Sequence, residues 1–203
     1  MNESASSALP AGALRTGKRE LTAHRITTTA QRLALEHGLD GFTMEQLAEQ
    51  VGVSRRTLFN YFPGKDDAIL GGPPVLGAEQ LDEFSAGGPT GNLVDDLAAV
   101  VFAILEDDPG TREDVARGRQ VMLANPRLIA LAHQRLQECV ESCMVYIEKR
   151  EDDSFVRARV DVALALVIAC FHLAMDRYLD DDVESDLATL FHESLGTARE
   201  LLT

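Results

Sequence analysis

The sequence predicts an all-α protein with about nine helices. Three observations carry this: apolar residues recur at the 3.6-residue period in nearly every segment, Ser/Thr/Asn caps and glycine stops separate those segments, and no alternating or hairpin pattern competes. The composition agrees, because 203 residues that are 45% hydrophobic and 26% charged are neither disordered, collagen-like nor a disulfide scaffold.

Residues 1–17, rich in Ser, Ala, Gly and Pro, are expected to be a flexible arm. Helix one is expected from a Thr22 cap, with Ile26, Ala30, Leu33, Ala34 and His37 on one face and Gly38 as its stop. The next start is dense: Thr43 is placed as N-cap, Gln46 completes a capping box, and Phe42 staples to Leu47. Helix two ends near Val51, where Gly52 permits a left-handed turn. Ser54 then caps helix three, about Arg55 to Phe62, with Val53 and Leu58 in the same staple positions.

Pro63-Gly64 interrupts the chain before a short helix at Lys65 to Leu70, and a resumption is expected over Val75 to Phe84. Gly87 to Gly91 reads as a loop, Leu93 to Leu105 as an apolar helix, Asp107 to Gly110 as a turn and Arg112 to Leu123 as a helix. Asn125-Pro126, an N-cap followed by proline at N1, opens a helix to about Arg150. Two long helices follow, roughly Ser154 to Leu179 and Ser185 to Leu202. The apolar stretch Val162 to Met175 is shorter than the ~20 residues that span a bilayer, so it reads as a buried helix of a soluble protein with no membrane partner. The N-terminal residues lack an apolar core of signal-peptide length, and a cytoplasmic location is expected.

Charge divides the chain. Residues 1–66 hold eight Lys/Arg and seven Asp/Glu, net +1, whereas the remaining 137 carry 11 against 26, net −15. Only the N-terminal part is electrostatically suited to a polyanion. There, two short helices joined by Gly52-Val53 make a helix-turn-helix, with Leu47, Ala48, Val51, Val53 and Leu58 as its core. Opposite Leu58 on the helical wheel lie Arg56 and Asn60. Arginine pairs bidentately with guanine and asparagine with adenine in a major groove, so Arg55, Arg56 and Asn60 are the base-reading candidates. Phe59 is placed to meet a thymine methyl. Thr43, Thr57, Tyr61 and Lys65 are placed at phosphates, and Arg15, Lys18 and Arg19 precede helix one as a basic arm for the phosphates or the minor groove. Glu45 and Glu49 face solvent with no assigned duty. Two helices with a glycine turn are common in helical proteins, so the weight rests on the combination.

Phe42-Thr43-Met44, Leu47-Ala48, Gly52-Val53-Ser54, Thr57-Leu58-Phe59, Tyr61-Phe62 and Lys65-Asp66 together resemble the TetR family of transcriptional regulators. The resemblance covers residues 20–70 specifically. It implies a domain plan of arm (1–17), helix-turn-helix DNA-binding domain (18–66) and larger helical ligand-binding and dimerisation domain (67–203). It further implies a homodimer on a near-palindromic operator, assembled through residues 154–179 and 185–202. It supports bases at Arg55, Arg56 and Phe59 or Asn60, with Ser54 opening the reading helix. Pro63-Gly64 departs from the polar residues frequent there in the family, which bears on how the following helix transmits motion.

The family resemblance also implies an effector cavity, for which Phe102, Met122, Leu136, Cys139, Cys143, Met144, Val167, Phe171 and Met175 are candidate walls, each of them also suited to simple core. Five arginines against Glu113 and Asp114 make residues 112–135 locally +3, and Arg117 is the candidate for an anionic headgroup. The stretch 119–138 resembles the branch of the family associated with acyl-CoA-like ligands, so an amphipathic or acyl-thioester effector is expected. No cofactor and no metal is expected: His133, Cys139 and Cys143 lack a fourth ligand at diagnostic spacing, and cysteines at i, i+4 on a helix bridge poorly. Competing readings are an adaptor that uses the helix-turn-helix for protein contact and a small all-α enzyme, although no nucleotide-loop, nucleophile-elbow or zinc-protease motif occurs.

Overall fold

In the computed structural model the described residues are 11–73, 77–106, 110–151, 156–180 and 182–202, with side chains described from residue 17 to residue 201. They form ten helices and no strand: α1 (Ala11–His37), α2 (Met44–Val51), α3 (Arg55–Tyr61), α4 (Lys65–Leu70), α5 (Ala78–Ser85), α6 (Leu93–Glu106), α7 (Arg112–Leu123), α8 (Pro126–Glu151), α9 (Arg157–Tyr178) and α10 (Leu187–Leu202). The all-α expectation holds with one helix more than the nine expected.

The chain divides into two units, residues 1–72 with 117–128, and residues 73–116 with 129–203. In the first unit, Ile26, Ala30, Leu33 and Ala34 of α1 bury one stripe against Phe42, Leu47, Ala48, Val51, Leu58 and Phe62. Ala68 and Ile69 of α4 complete this core with Val121 and Leu128. Gln31 lies within it, donating from Nε2 to the Ile69 carbonyl at 3.0 Å, which ties α4 to α1. Gly41 is required by crowding: a Cβ there would meet the His37 carbonyl oxygen at 1.9 Å.

Helix α1 departs from expectation at its start. Thr22 is no cap, because its hydroxyl donates back to the Lys18 carbonyl at 2.9 Å inside a helix that is already running from Ala11. Alanine, leucine, lysine and glutamate are all good helix formers, and their propensity extends the helix upstream. Of the expected flexible arm, residues 1–10 lie outside the described residues; from Ala11 onward the backbone is helical.

The second unit is built on α6, α9 and α10. Val160, Ala163, Val167, Cys170 and Ala174 form the buried stripe of α9, and Leu190, Phe191 and Leu195 that of α10. The Phe191 ring lies 5.0 Å from that of Phe102, tilted by 49°, and edge-on at 6.0 Å from Phe171, within the centroid separations at which aromatic pairs attract. At 22 residues, with a mean hydropathy of 1.9 over its most apolar 18-residue window, α9 is long and apolar enough to cross a membrane. It nevertheless places that stripe in this core.

A buried ion pair anchors the loop between α5 and α6. Arg150 Nη2 lies 2.6 Å from Asp96, whose carboxylate is fully buried, and the Arg150 side chain is 3% exposed. Asp96 also accepts from the Thr90 hydroxyl and amide, each at 2.7 Å, and from the Gly91 amide. Arg150 donates to the Phe84 and Gly88 carbonyls and stacks over the Phe84 ring. Burial pushes the Asp96 carboxyl up, but the Thr90 hydrogen bonds and Arg150 outweigh it and hold the group below the ordinary carboxylate range.

One cap differs from the sequence reading and another was not named by it. Asn125 does not cap α8 through its side chain; its amide donates back to the Val121 carbonyl at 2.7 Å, closing the end of α7. Asp186 caps α10 by accepting from the Thr189 amide at 2.7 Å, and this bond lowers the Asp186 pKa. The segment expected to resume as helix from Val75 does so from Ala78, and residues 74–76 lie outside the described residues, as do 107–109 and 154–155 of the expected turn and helix.

Candidate nucleic-acid interface

Both short helices are set by local chemistry. The Thr43 hydroxyl accepts from the Gln46 amide at 3.2 Å while the Gln46 side chain accepts from the Thr43 amide at 2.8 Å, a complete capping box. Gly52 ends α2 at φ 76°, in the left-handed region where glycine carries no Cβ penalty, and its amide bonds back to Ala48 and Glu49. Two residues later the Ser54 hydroxyl accepts from the Thr57 amide at 3.0 Å and starts α3. Leu58, fully buried, pins the inner face of α3 to the core shared with Leu47 and Ala48. The two helices are thus fixed at a tight corner, the helix-turn-helix arrangement.

Fixing Leu58 inward turns the rest of α3 outward. Arg55, Arg56, Phe59 and Asn60 are all exposed, with Phe59 40% exposed despite its apolar ring. The base-reading candidates therefore share one solvent-facing surface. Thr43 is exposed at the start of α2 beside them, and Thr57 is half-buried with its hydroxyl 2.7 Å from that of Ser54. Tyr61 is half-buried, and the Arg19 guanidinium lies 5.3 Å from the centre of its ring. That contact joins α1 to the end of α3. Lys18 is exposed one residue earlier in α1. The Arg15 side chain lies outside the described ones.

Lys65, expected at a phosphate, is engaged by the protein's own backbone. Its ammonium donates to the Leu39 carbonyl at 2.5 Å and the Phe42 carbonyl at 2.7 Å, and stands 4.8 Å from the centre of the Phe42 ring. Carbonyls of the α1–α2 connection, left without helical partners, capture it. Arg25 acts similarly, donating to the Val51 carbonyl at 2.8 Å at the end of α2. Neither role is visible in the sequence, since each joins residues 23 to 26 apart.

Glu45, without an assigned duty in the sequence, is paired with Arg55 at 2.9 Å. Its position in the first turn of α2, on the same side as the start of α3, follows from the tight corner at Gly52. Glu49 borders a shallow cleft of about 460 Å³ lined also by Leu33, His37, Gly41, Phe42, Gln46 and Gln50.

The candidate effector residues are dispersed. Arg117 and Met122 belong to the first unit, Met122 packing on its core. In the second unit Met144 and Val167 are buried core, while Phe102 and Phe171 pack against it. Cys139, Cys143 and Met175 are half-buried, and Leu136 is 38% exposed. A separate cleft of about 240 Å³ in this unit is lined by Leu105, Glu106, Gly110, Val115, Tyr178, Asp186, Leu187 and Ala188, none of them among those candidates. All three cysteines are free thiols; burial first, then the neighbouring Cys139, pushes the Cys143 thiol up, and burial does the same to Cys170. Such thiols are held away from the reactive thiolate. Among the described residues no group of three His, Cys, Asp or Glu side chains is placed to hold a metal.

Residues 26–69, from the buried Ile26 of α1 through the helix-turn-helix to Ile69 of α4, match the family model described as bacterial regulatory proteins, tetR family. No curated protein matches the chain. The matched segment contains the capping box, the Gly52 turn and the outward face of α3 just described, so in residues 26–69 the chain carries a helix-turn-helix similar to that of the TetR family of DNA-binding transcriptional regulators.

Proposed function

We propose that the protein is a ligand-responsive repressor that binds a near-palindromic operator as a homodimer and is released by a small amphipathic effector. The observation that carries the DNA-reading part is the exposed face of α3, where Arg55, Arg56, Phe59 and Asn60 stand on a helix immobilised by the Ser54 cap and by Leu58. A seven-residue helix so held fits a major groove about 12 Å wide, with arginine and asparagine aimed at purine edges. Thr43, Thr57 and Tyr61 supply phosphate contacts beside it, and Lys18, Arg19 and Arg15 extend the basic surface. Lys65 serves as a positioning residue that braces the Leu39–Phe42 connection.

The dimer is supported by α9. Val162 and Leu173 are 69% and 59% exposed, and exposed Ala165 and Ala169 lie between them on the same face. An apolar strip of this kind calls for a cover, and a second copy of α9 and α10 provides one in the manner of a four-helix interface. Two subunits then present two α3 helices to half-sites ~34 Å apart. The functional division is residues 18–66 for DNA and 67–203 for ligand and partner, in a cytoplasmic protein.

The effector class rests on the resemblance of residues 119–138 and on the cluster of arginines there, and an acyl thioester is the member of that class to test first. Binding to the non-DNA conformation shifts the equilibrium only by its differential affinity. Footprinting on DNA upstream of the protein's own gene, repeated across a salt series, tests the reading: a protected near-palindrome whose affinity falls steeply with salt is expected. Failure to retard any native promoter fragment in dilute buffer overturns it. Acyl-CoA titration of the complex tests the effector by release of the DNA.

A further inference from the structure

Two adjacent arginines at the start of α3 are held unequally. Arg56 makes no ion pair among the described residues, whereas Arg55 is gripped from two sides: its Nη1 is 2.9 Å from Glu45 Oε1, and its guanidinium stands 5.5 Å from the centre of the Phe59 ring. The pair joins the first turn of α2 to the first turn of α3, with side chains 53% and 67% exposed. At that exposure it adds little to folding stability, so fold maintenance does not account for it.

We propose that Glu45 is a positioning residue that makes Arg55 a reader of guanine in a G·C pair; this rests on the operator-binding reading above. A free arginine samples many rotamers and satisfies any phosphate within reach. With Nη1 committed to Glu45, the Nε and Nη2 donors form the remaining fork, and Phe59 restricts the plane in which that fork lies. Guanine offers two acceptors, O6 and N7, that match it; adenine puts a donor where O6 would be. A carboxylate beside the guanidinium also repels phosphate, which penalises non-specific docking, and it can accept from the cytosine N4 amine of the same pair. Arg56, without such a partner, retains its mobility.

In vitro selection from random duplex DNA with the full chain, in wild-type, Glu45→Gln, Arg55→Ala and double-variant forms, tests this. The wild type is expected to select guanine at one position of each half-site. Glu45→Gln, which keeps size and removes charge, is expected to lose about tenfold discrimination at that position alone, to bind unselected DNA more tightly, and to show a steeper salt dependence by about one phosphate contact. The double variant is expected to match Arg55→Ala. Unchanged melting temperatures of the variants exclude a folding effect, which would lower discrimination at all positions together. A Glu45→Gln profile identical to wild type, or an even loss across the site, overturns the assignment while leaving the operator reading intact. Absence of any selected sequence with the wild type overturns both.

Discussion

The helix-turn-helix and the core of the second unit differ in where they keep their charges. In α2–α3 the capping hydrogen bonds close over three or four residues, Thr43 with Gln46, Ser54 with Thr57 and Gly52 with Ala48, and the cations Arg25 and Lys65 brace its ends on backbone carbonyls. Its ion pair, Glu45 with Arg55, is solvent-exposed. The second unit instead commits a buried charge pair, Asp96 with Arg150, and adds long-range ties from Arg112 to the Asp180 and Ser185 carbonyls, from Arg177 to Glu193, and from Arg199 to Asp95. A DNA reader must keep its charges hydrated and outward until a polyanion arrives. An acidic helical unit holding a long loop can seal charge inside, provided every partner is present.

That difference makes loss of Arg150 the most damaging single change. Arg150→Met leaves Asp96 buried without its counter-charge and removes donors from the Phe84 and Gly88 carbonyls, and ~3–5 kcal/mol of stability should be lost, read as a lower denaturant midpoint. Acid probes the same pair. Because the folded Asp96 pKa is lowered from 3.8, its contribution is present above that unfolded value and is lost as pH falls through the folded one. Asp96→Asn should flatten the acid limb of a stability-against-pH profile, and an unchanged limb would show that other carboxylates dominate it.

Changes on the outer face of α3 should leave stability alone and act on DNA. Arg56→Ala or Asn60→Ala is expected to weaken operator binding about tenfold or more with the melting temperature preserved; equal weakening on random DNA would assign the side chain to phosphate contact instead. At the corner between the helices, Gly52→Ala must place a Cβ at φ 76°, costing about 1–2 kcal/mol in thermal unfolding of the first unit. Smallest is Ser54→Ala, which removes one cap for about 1 kcal/mol, detectable as faster amide exchange at Thr57.

The ease with which each region was read follows the same division. Gln46 three residues after Thr43, and Ser54 two after Gly52, are signals of fixed spacing, and both appear in the structure as expected. Thr22 proved to lie inside α1, and Asn125, although it stands just before Pro126 at the start of α8, makes no side-chain cap bond, because a hydroxyl or amide near a helix end can equally bond backward, to Lys18 or Val121. Asp96 had one usable sign: it falls on the apolar stripe of Leu93 and Leu97, where a carboxylate demands a partner. Nothing in sequence order says that Arg150 is that partner. The contacts of Lys65, Arg25, Arg19 and Glu45 were not legible for the same reason, since each meets a residue remote from it in the chain.

By itself the amino-acid order determined the helical class, the two-helix corner and which face of α3 points to water, because periodicity, caps and a left-handed glycine act over a single turn or two. Only the tertiary arrangement decided which charges meet: Glu45 beside Arg55, Lys65 against two carbonyls, Asp96 sealed with Arg150. Coulombic and hydrogen-bond energies depend on separations of a few ångströms between groups remote in the chain, and those separations exist once the helices have packed.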